Sequence, residues 1–150
     1  MNKIPSDFSF KYRWCEGTVP PPHYYEYSIK FGTGLIGTIN FYPDYPQHDL
    51  PAWIEQFAVT ADAHAALYLL MTERDLFRQN WTEIQDAPVG GSLEWLDITA
   101  DGVEYKIPSM IEESPEIESI YEAIRSLVPV EIWKHLISQR EEFIRNYPIE

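Results

Sequence analysis

The 150-residue chain carries 24 acidic and 11 basic residues, a formal net charge of −13. This charge disfavours binding to nucleic acids and to anionic membrane surfaces, because both would be repelled at long range. A hydrophobic share of 45% and an aromatic share of 15% exclude an intrinsically disordered chain. A chain of this length buries roughly 70% of the surface that its unfolded form exposes. We therefore expect a single domain spanning residues 1–150.

The compartment is predicted from the cysteine content and the apolar runs. Cys15 is the one cysteine, so no internal disulfide can form, and no apolar signal segment follows Met1. The longest apolar run lies within residues 65–71, far below the about 20 residues that a membrane span requires. We expect a cytoplasmic protein that does not associate with membranes.

Four β-strands are predicted in the first 60 residues, where large apolar residues alternate with polar ones. The alternation runs from Phe8 to Cys15, from Tyr25 to Phe31, from Leu35 to Tyr42 and, less regularly, from Trp53 to Val59. Proline-rich loops precede the second and the fourth of these segments, and Gly32-Thr33-Gly34 permits a tight reversal before the third. This pattern is typical of an antiparallel meander.

A helix is predicted from Ala61 to Phe77, because this stretch lacks Gly and Pro and its apolar residues recur at helical spacing. Thr60 is the predicted N-cap. Residues 72–75 could begin a second short turn that ends at Phe77. The change from alternation to helical spacing at residue 60 therefore marks the end of the meander.

The clearest β-signal in the chain is a hairpin predicted within residues 90–108. Its turn is Asp101-Gly102, a pair that tolerates the positive φ angles of a tight reversal. On the second arm Val103, Tyr105 and Ile107 alternate with charged residues, as in a strand with one buried face.

Two helices at an angle are predicted at the C-terminal end. Ser114 is the expected N-cap of the first, and Pro115 occupies the first helical position, where its missing N–H costs nothing. The apolar stripe of this helix extends to Val128, Pro129 interrupts it, and helical spacing continues to about Tyr147.

Together these elements predict an α+β fold with a largely antiparallel sheet, formed by the four-stranded N-terminal meander and the C-terminal hairpin. One central helix and two C-terminal helices are expected to pack on one face of this sheet. The opposite face must then be solvated, covered by loops or used for binding. We expect Tyr24, Tyr42 and Tyr45 on that face or at its rim.

Residue types that carry catalysis occur without a recognisable motif. Cys15 and His23 are close in sequence, but a cysteine nucleophile needs a positioned base and a lowered pKa, which no pattern here indicates. Candidate metal ligands are Asp44, His48 and Asp49 in one loop and Asp62 with His64 in the next helix. Neither set has the spacing of a known metal site. We therefore assign no catalytic residue, expect no metal and no cofactor, and favour a protein that is not an enzyme.

Two loops combine rigid prolines with aromatic residues, a composition that offers a preformed recognition surface at low ordering cost. They span residues 19–25 and 41–46. The candidate binding residues are Pro22, His23, Tyr24, Tyr25, Tyr42, Asp44 and Tyr45. The alternative is purely architectural, with tyrosines packed against prolines. If both loops meet at one edge of the sheet, they form a shallow Tyr and Pro groove with acidic rims.

Three classes of function fit the sequence. A non-enzymatic protein-interaction module of inhibitor, immunity or adaptor type is favoured by the small size, the acidic charge and the missing catalytic motif. A small-molecule-binding protein or a hydrolase, with a site assembled from scattered His, Asp and Tyr residues, is the second class. The third is a structural subunit of a larger assembly. An interaction module of charge −13 would favour a partner with a basic patch, and the sequence also leaves a homo-oligomer open.

Overall fold

A computed structural model describes residues 4–17, 19–46, 52–84, 91–112 and 114–148 of the chain. Its strands are β1 (Ser9–Cys15), β2 (Glu26–Phe31), β3 (Ile36–Tyr42), β4 (Trp53–Ala58), β5 (Leu93–Ala100) and β6 (Val103–Ile107). Its helices are α1 (Ala61–Glu73), α2 (Pro115–Leu127) and α3 (Val130–Arg145). The strands and the two C-terminal helices agree closely with the predicted bounds, whereas α1 is shorter than predicted.

The strands form one antiparallel sheet in the order β4-β3-β2-β1-β5-β6. β1 pairs with β2 on one side and with β5 on the other, where Ser9 lies opposite Thr99 and Cys15 lies opposite Leu93. The predicted α+β class with an antiparallel sheet is confirmed. The one refinement is that the pairing of β1 with β5 joins meander and hairpin into a continuous six-stranded sheet.

The predicted hairpin turn is confirmed at Asp101 and Gly102, which have φ angles of 52° and 74°. The carboxylate of Asp7 accepts hydrogen bonds from both backbone N–H groups, each at 2.8 Å. These bonds lower the pKa of Asp7, since they favour its charged form. A residue more than ninety positions earlier therefore holds the turn, a contact that the local sequence did not predict.

The helix ends are largely set by local signals. Thr60 caps α1 by accepting from the N–H of Ala63 at 3.1 Å, and Ser114 caps α2 by accepting from the N–H of Ile117 at 3.2 Å. A continuous helix to Phe77 is wrong, because Asp75 adopts a positive φ of 57° that no α-helix contains. The predicted alternative, a separate short turn after residue 72, agrees with the turn that the structure shows at residues 74–78. The predicted interruption between α2 and α3 at Pro129 is confirmed.

All three helices lie against the same face of the sheet. On that face the ring of Tyr12 contacts Tyr121 of α2, and the ring of Tyr27 contacts Trp133 of α3. Phe31, in the same row as Phe10, contacts His64 of α1. Among the described residues, none of the helices combines the length and the apolar content needed to cross a membrane. Within the described ranges the opposite face of the sheet carries no helix, and we call it the open face.

Candidate functional site

The open face consists of the side chains that alternate with the buried ones along each strand. Its central row runs across four strands, from Lys30 on β2 through Lys11 on β1 and Asp97 on β5 to Lys106 on β6. A neighbouring row contains Ser28, Arg13 and Trp95. Cross-strand neighbours fix these rows, so the side chains in each row point to the same side of the sheet.

The open face differs in charge from the chain as a whole. Its basic residues are Lys11, Arg13, Lys30 and Lys106, and its acidic residues are Glu26, Asp97 and Glu104. It therefore carries four of the eleven basic residues but three of the twenty-four acidic ones. A positive surface thus lies on a strongly negative molecule.

Two shallow hollows lie on this face. The first, of about 490 Å³, is lined by the polar side chains of Lys11, Lys30, Asp97, Thr99, Glu104 and Lys106. The second, of about 260 Å³, is lined by Lys11, Arg13, Glu26, Tyr27, Ser28, Asn40, Tyr42 and Pro46. Because Lys11 lines both hollows, they are neighbours on the open face, and we call the two together the depression.

Arg13 is held in place at the centre of the open face. Its Nη2 atom lies 2.9 Å from the carboxylate of Glu26, and its guanidinium stacks over the ring of Trp95 at 4.9 Å from the centroid. The Arg13 side chain nevertheless keeps 48% of its surface exposed. Arginine and tryptophan are the residue types that most often dominate protein interfaces.

The two loops that combine prolines and tyrosines meet at one end of the open face. The rings of Tyr24 and Tyr45 stack with centroids 3.7 Å apart, and the Tyr45 hydroxyl donates to the carbonyl of Val19 at 2.8 Å. Tyr24 also donates to Glu26 at 3.3 Å, beside the position of Tyr42 on the neighbouring strand. The stack is therefore a fixed wall next in sequence to Pro46, which lines the second hollow, and Tyr24 within it is buried at 7% exposure.

The other candidate binding residues are arranged differently. Tyr25 faces the helices, where its ring contacts Trp14 at 4.8 Å and lies under the guanidinium of Arg140 at 4.2 Å. Arg140 also donates to the carbonyl of His23 at 3.1 Å, so this part of the loop fastens α3. Asp44 is buried and accepts from the N–H of Tyr45 at 2.7 Å. Pro22 is partly exposed in the turn before β2.

A polar cluster that no sequence pattern predicted lies between α2 and the sheet. The hydroxyl of Tyr12 donates to the carboxylate of Glu94, and Nη1 of Arg125 donates to both, at 2.9 Å and 3.0 Å. Burial and the bond to Glu94 strongly raise the pKa of Tyr12, so its hydroxyl stays neutral. Each bond of this kind satisfies a group that would be costly to bury alone. We interpret the cluster as the attachment of α2 to β1 and β5.

The residues considered for catalysis or metal binding are also held by structural contacts. Burial raises the pKa of the Cys15 thiol, which disfavours a reactive thiolate. The ring of His64 lies between Phe8 and Phe31, with centroids 5.1 Å from each. Of the other candidate ligands, His48 and Asp49 lie outside the described residues.

The sequence could have predicted part of the open face. The alternation along β1 places Lys11 and Arg13 on one side of the strand. Which residues lie beside them depends on the pairing of β1 with β2 and β5, which a single strand does not specify.

The sequence was also compared with known proteins: no protein-family model matches it, and neither does any curated protein. The functional argument therefore rests on the geometry and charge of the open face.

Proposed function

We propose that this chain is a non-catalytic protein-interaction module, of inhibitor, immunity or adaptor type, that binds its partner on the open face. The observation that carries this proposal is the depression on the open face, whose lining contains four cations and three carboxylates in a chain of charge −13. A sheet face exposed only to water needs no such segregation of charge.

The size of the open face fits a protein partner. Five gaps of about 4.8 Å between six strands give a width of about 24 Å, and six residues per strand give a length of about 20 Å. The projected area of about 500 Å² is a large part of the about 800 Å² that each partner contributes to a standard interface. Tyr45, which is partly exposed, and Pro46, which is exposed, add to this area.

The open face also carries residue types that anchor protein interfaces. Arg13, Trp95 and Tyr42 are exposed or partly exposed and belong to the residue types that anchor interfaces. The ion pair with Glu26 and the stacking on Trp95 hold Arg13 before a partner arrives, which reduces the ordering cost of binding. Of the loop candidates, we propose Tyr42 and Tyr45 for the interface, with the buried Tyr24 supporting the ring of Tyr45, and assign Tyr25 to the attachment of α3.

A cytoplasmic location is part of the proposal. The buried thiol of Cys15 is the one cysteine of the chain, and a fold with 150 residues and a large aromatic core needs no disulfide. Nucleic acid is not the proposed partner, because the net charge of −13 repels a polyanion at long range.

Site-specific photo-crosslinking in the native cell tests this proposal. Benzoylphenylalanine at Thr38, in the central part of the open face, should form adducts with another protein. The same group at Glu122, an exposed residue of α2 on the opposite side of the molecule, is the matched control and should give none. Equal adduct yields at both positions, or none from Thr38, would contradict binding on the open face.

A further inference from the structure

The central row of the open face places three lysines along a line. Lys30 lies directly opposite Lys11, Lys11 lies opposite Asp97, and Asp97 lies opposite Lys106. The row crosses three gaps between strands, so its backbone positions span about 14 Å. All three lysines are exposed and line the larger hollow.

One pair of this row, Lys30 and Lys11, is unfavourable for the sheet alone, whereas Asp97 lies opposite both Lys11 and Lys106 and offsets part of their charge. Like charges directly opposite each other on neighbouring strands destabilise a sheet, whereas opposite charges stabilise it. Lys30 has Lys11 on one side and Thr38 on the other, with no carboxylate opposite it in the register. Within the described part of the chain, the ion pairs involve Arg13, Arg125, Lys134 and His135 but none of the three lysines of this row.

We propose that the row formed by Lys30, Lys11 and Lys106 binds an acidic segment of a partner protein. This inference rests on the proposed function and names the chemistry of the partner. Carboxylates of the segment would approach the exposed ammonium groups. The partner chemistry is thus opposite to the basic patch that the net charge alone favoured.

The length of the row fits a peptide better than other anions. In an extended segment, side chains on the same side recur every about 6.8 Å, so the first and third of three alternate residues lie about 14 Å apart. Carboxylates at these two positions would match Lys30 and Lys106, and one between them would lie closer to Lys11 than to Lys30 or Lys106, with Asp97 on its other side. A single phosphate is too small to reach all three lysines. Nucleic acid carries one negative charge per about 1.7 Å of duplex, and the net charge of −13 on the chain repels such a polyanion.

A peptide selection tests the inference without knowledge of the partner. Random 12-residue peptides displayed on phage are selected on the wild-type protein at 0.15 M salt. We expect the enriched peptides to carry Asp or Glu at alternate positions. They should bind the Lys11→Glu/Lys30→Glu variant at least tenfold more weakly than wild type. The Arg78→Glu/Lys134→Glu variant, with the same net charge but exposed changes outside the open face, should bind them like wild type.

Several results would overturn the inference. Failure to enrich any peptide, enrichment of neutral or basic peptides, or equal affinity for both double variants would each contradict an acidic partner. Tight binding of fluorescein-labelled dodecathymidylate that is lost in Lys11→Glu/Lys30→Glu would assign the face to nucleic acid instead. Saturable binding of inorganic phosphate at the lysines, without enriched acidic peptides, would assign it to a small anion.

The crosslinking experiment separates this inference from the proposed function. If adducts from Thr38 persist in the Lys11→Glu/Lys30→Glu variant, a protein binds the open face but not through an acidic segment. If the adducts disappear in this variant and persist in Arg78→Glu/Lys134→Glu, both proposals are supported. Unfolding curves of the two variants verify that each remains folded before binding is compared.

Discussion

The opposed lysines of the open face predict that removing one of them stabilises the free protein. Lys30→Glu replaces a like-charge pair with an attractive one, because Lys11 is the charged residue directly opposite position 30. The matched control is Lys134→Glu, an exposed substitution in α3 that changes the net charge by the same amount. Any general effect of added negative charge is therefore common to both variants.

The expected magnitude can be worked from the geometry. Cross-strand Cβ atoms lie about 5 Å apart, and two ammonium groups that separate to about 7 Å repel by about 0.6 kcal/mol in water. Reversing one charge changes the sign, so Lys30→Glu should gain about 1 kcal/mol in low salt. Lys134→Glu instead loses a weak exposed pair with Glu131, where the two atoms are 4.0 Å apart. The difference between the variants should therefore be about 1 kcal/mol.

Urea unfolding at two salt concentrations measures this difference. With a slope of about 1–3 kcal/mol per molar urea, the midpoint of Lys30→Glu should lie about 0.3–1 M above that of Lys134→Glu at 0.01 M salt. At 1 M salt the Debye length is about 3 Å, and the difference should vanish. A midpoint for Lys30→Glu at or below that of Lys134→Glu in low salt would refute a net repulsion between Lys30 and Lys11.

Two further predictions concern the buried face. Ile124 of α2 is 0% exposed, so Ile124→Ala should lower the free energy of unfolding in chemical denaturation by about 2–5 kcal/mol. The control is Ile137→Ala in α3, at a position that is 51% exposed, and it should change this free energy by less than about 0.5 kcal/mol. Burial lowers the pKa of His64 from its ordinary value of 6.5, so the unfolded chain takes up this proton at a higher pH than the folded one. The stability that neutral His64 contributes is present above pH 6.5 and is lost as the pH falls below it. Unfolding from pH 7 to pH 5 should therefore show a smaller loss of stability in His64→Gln than in wild type, and identical pH profiles would contradict this.

The fold could be predicted from the sequence wherever local chemistry decides it. The hairpin turn can be predicted from Asp101 and Gly102 alone, because this pair tolerates the positive φ angles of the turn. Ser114 likewise caps α2 through a bond to a group three residues away. The end of α1 could not be predicted, because helical spacing continues past Asp75, whose backbone leaves the helix. Periodicity indicates which residues could be buried in a helix but not where the helix ends.

The candidate site required contacts between distant parts of the chain. Proline and tyrosine indicated the two loops, but not that Tyr24 and Tyr45 stack on each other while Tyr25 turns to the helices. Lys11 and Lys30 lie nineteen positions apart, and their meeting depends on the register of β1 and β2. Register is set by burial of the opposite face, where Tyr12 lies beside Ile29. The functional row is therefore a consequence of core packing.

Net charge and local charge lead to opposite partners, and ionic strength determines which one governs binding. At 0.01 M salt the Debye length is about 30 Å, so an approaching molecule experiences the whole chain and its charge of −13. At physiological salt the Debye length is about 8 Å, which is shorter than the span of the lysine row, about 14 Å. A ligand at the open face then interacts mainly with Lys30, Lys11 and Lys106, together with Asp97 between them. A short acidic segment at the row is then attracted by the nearby ammonium groups, while the distant negative charge of the chain opposes it only weakly.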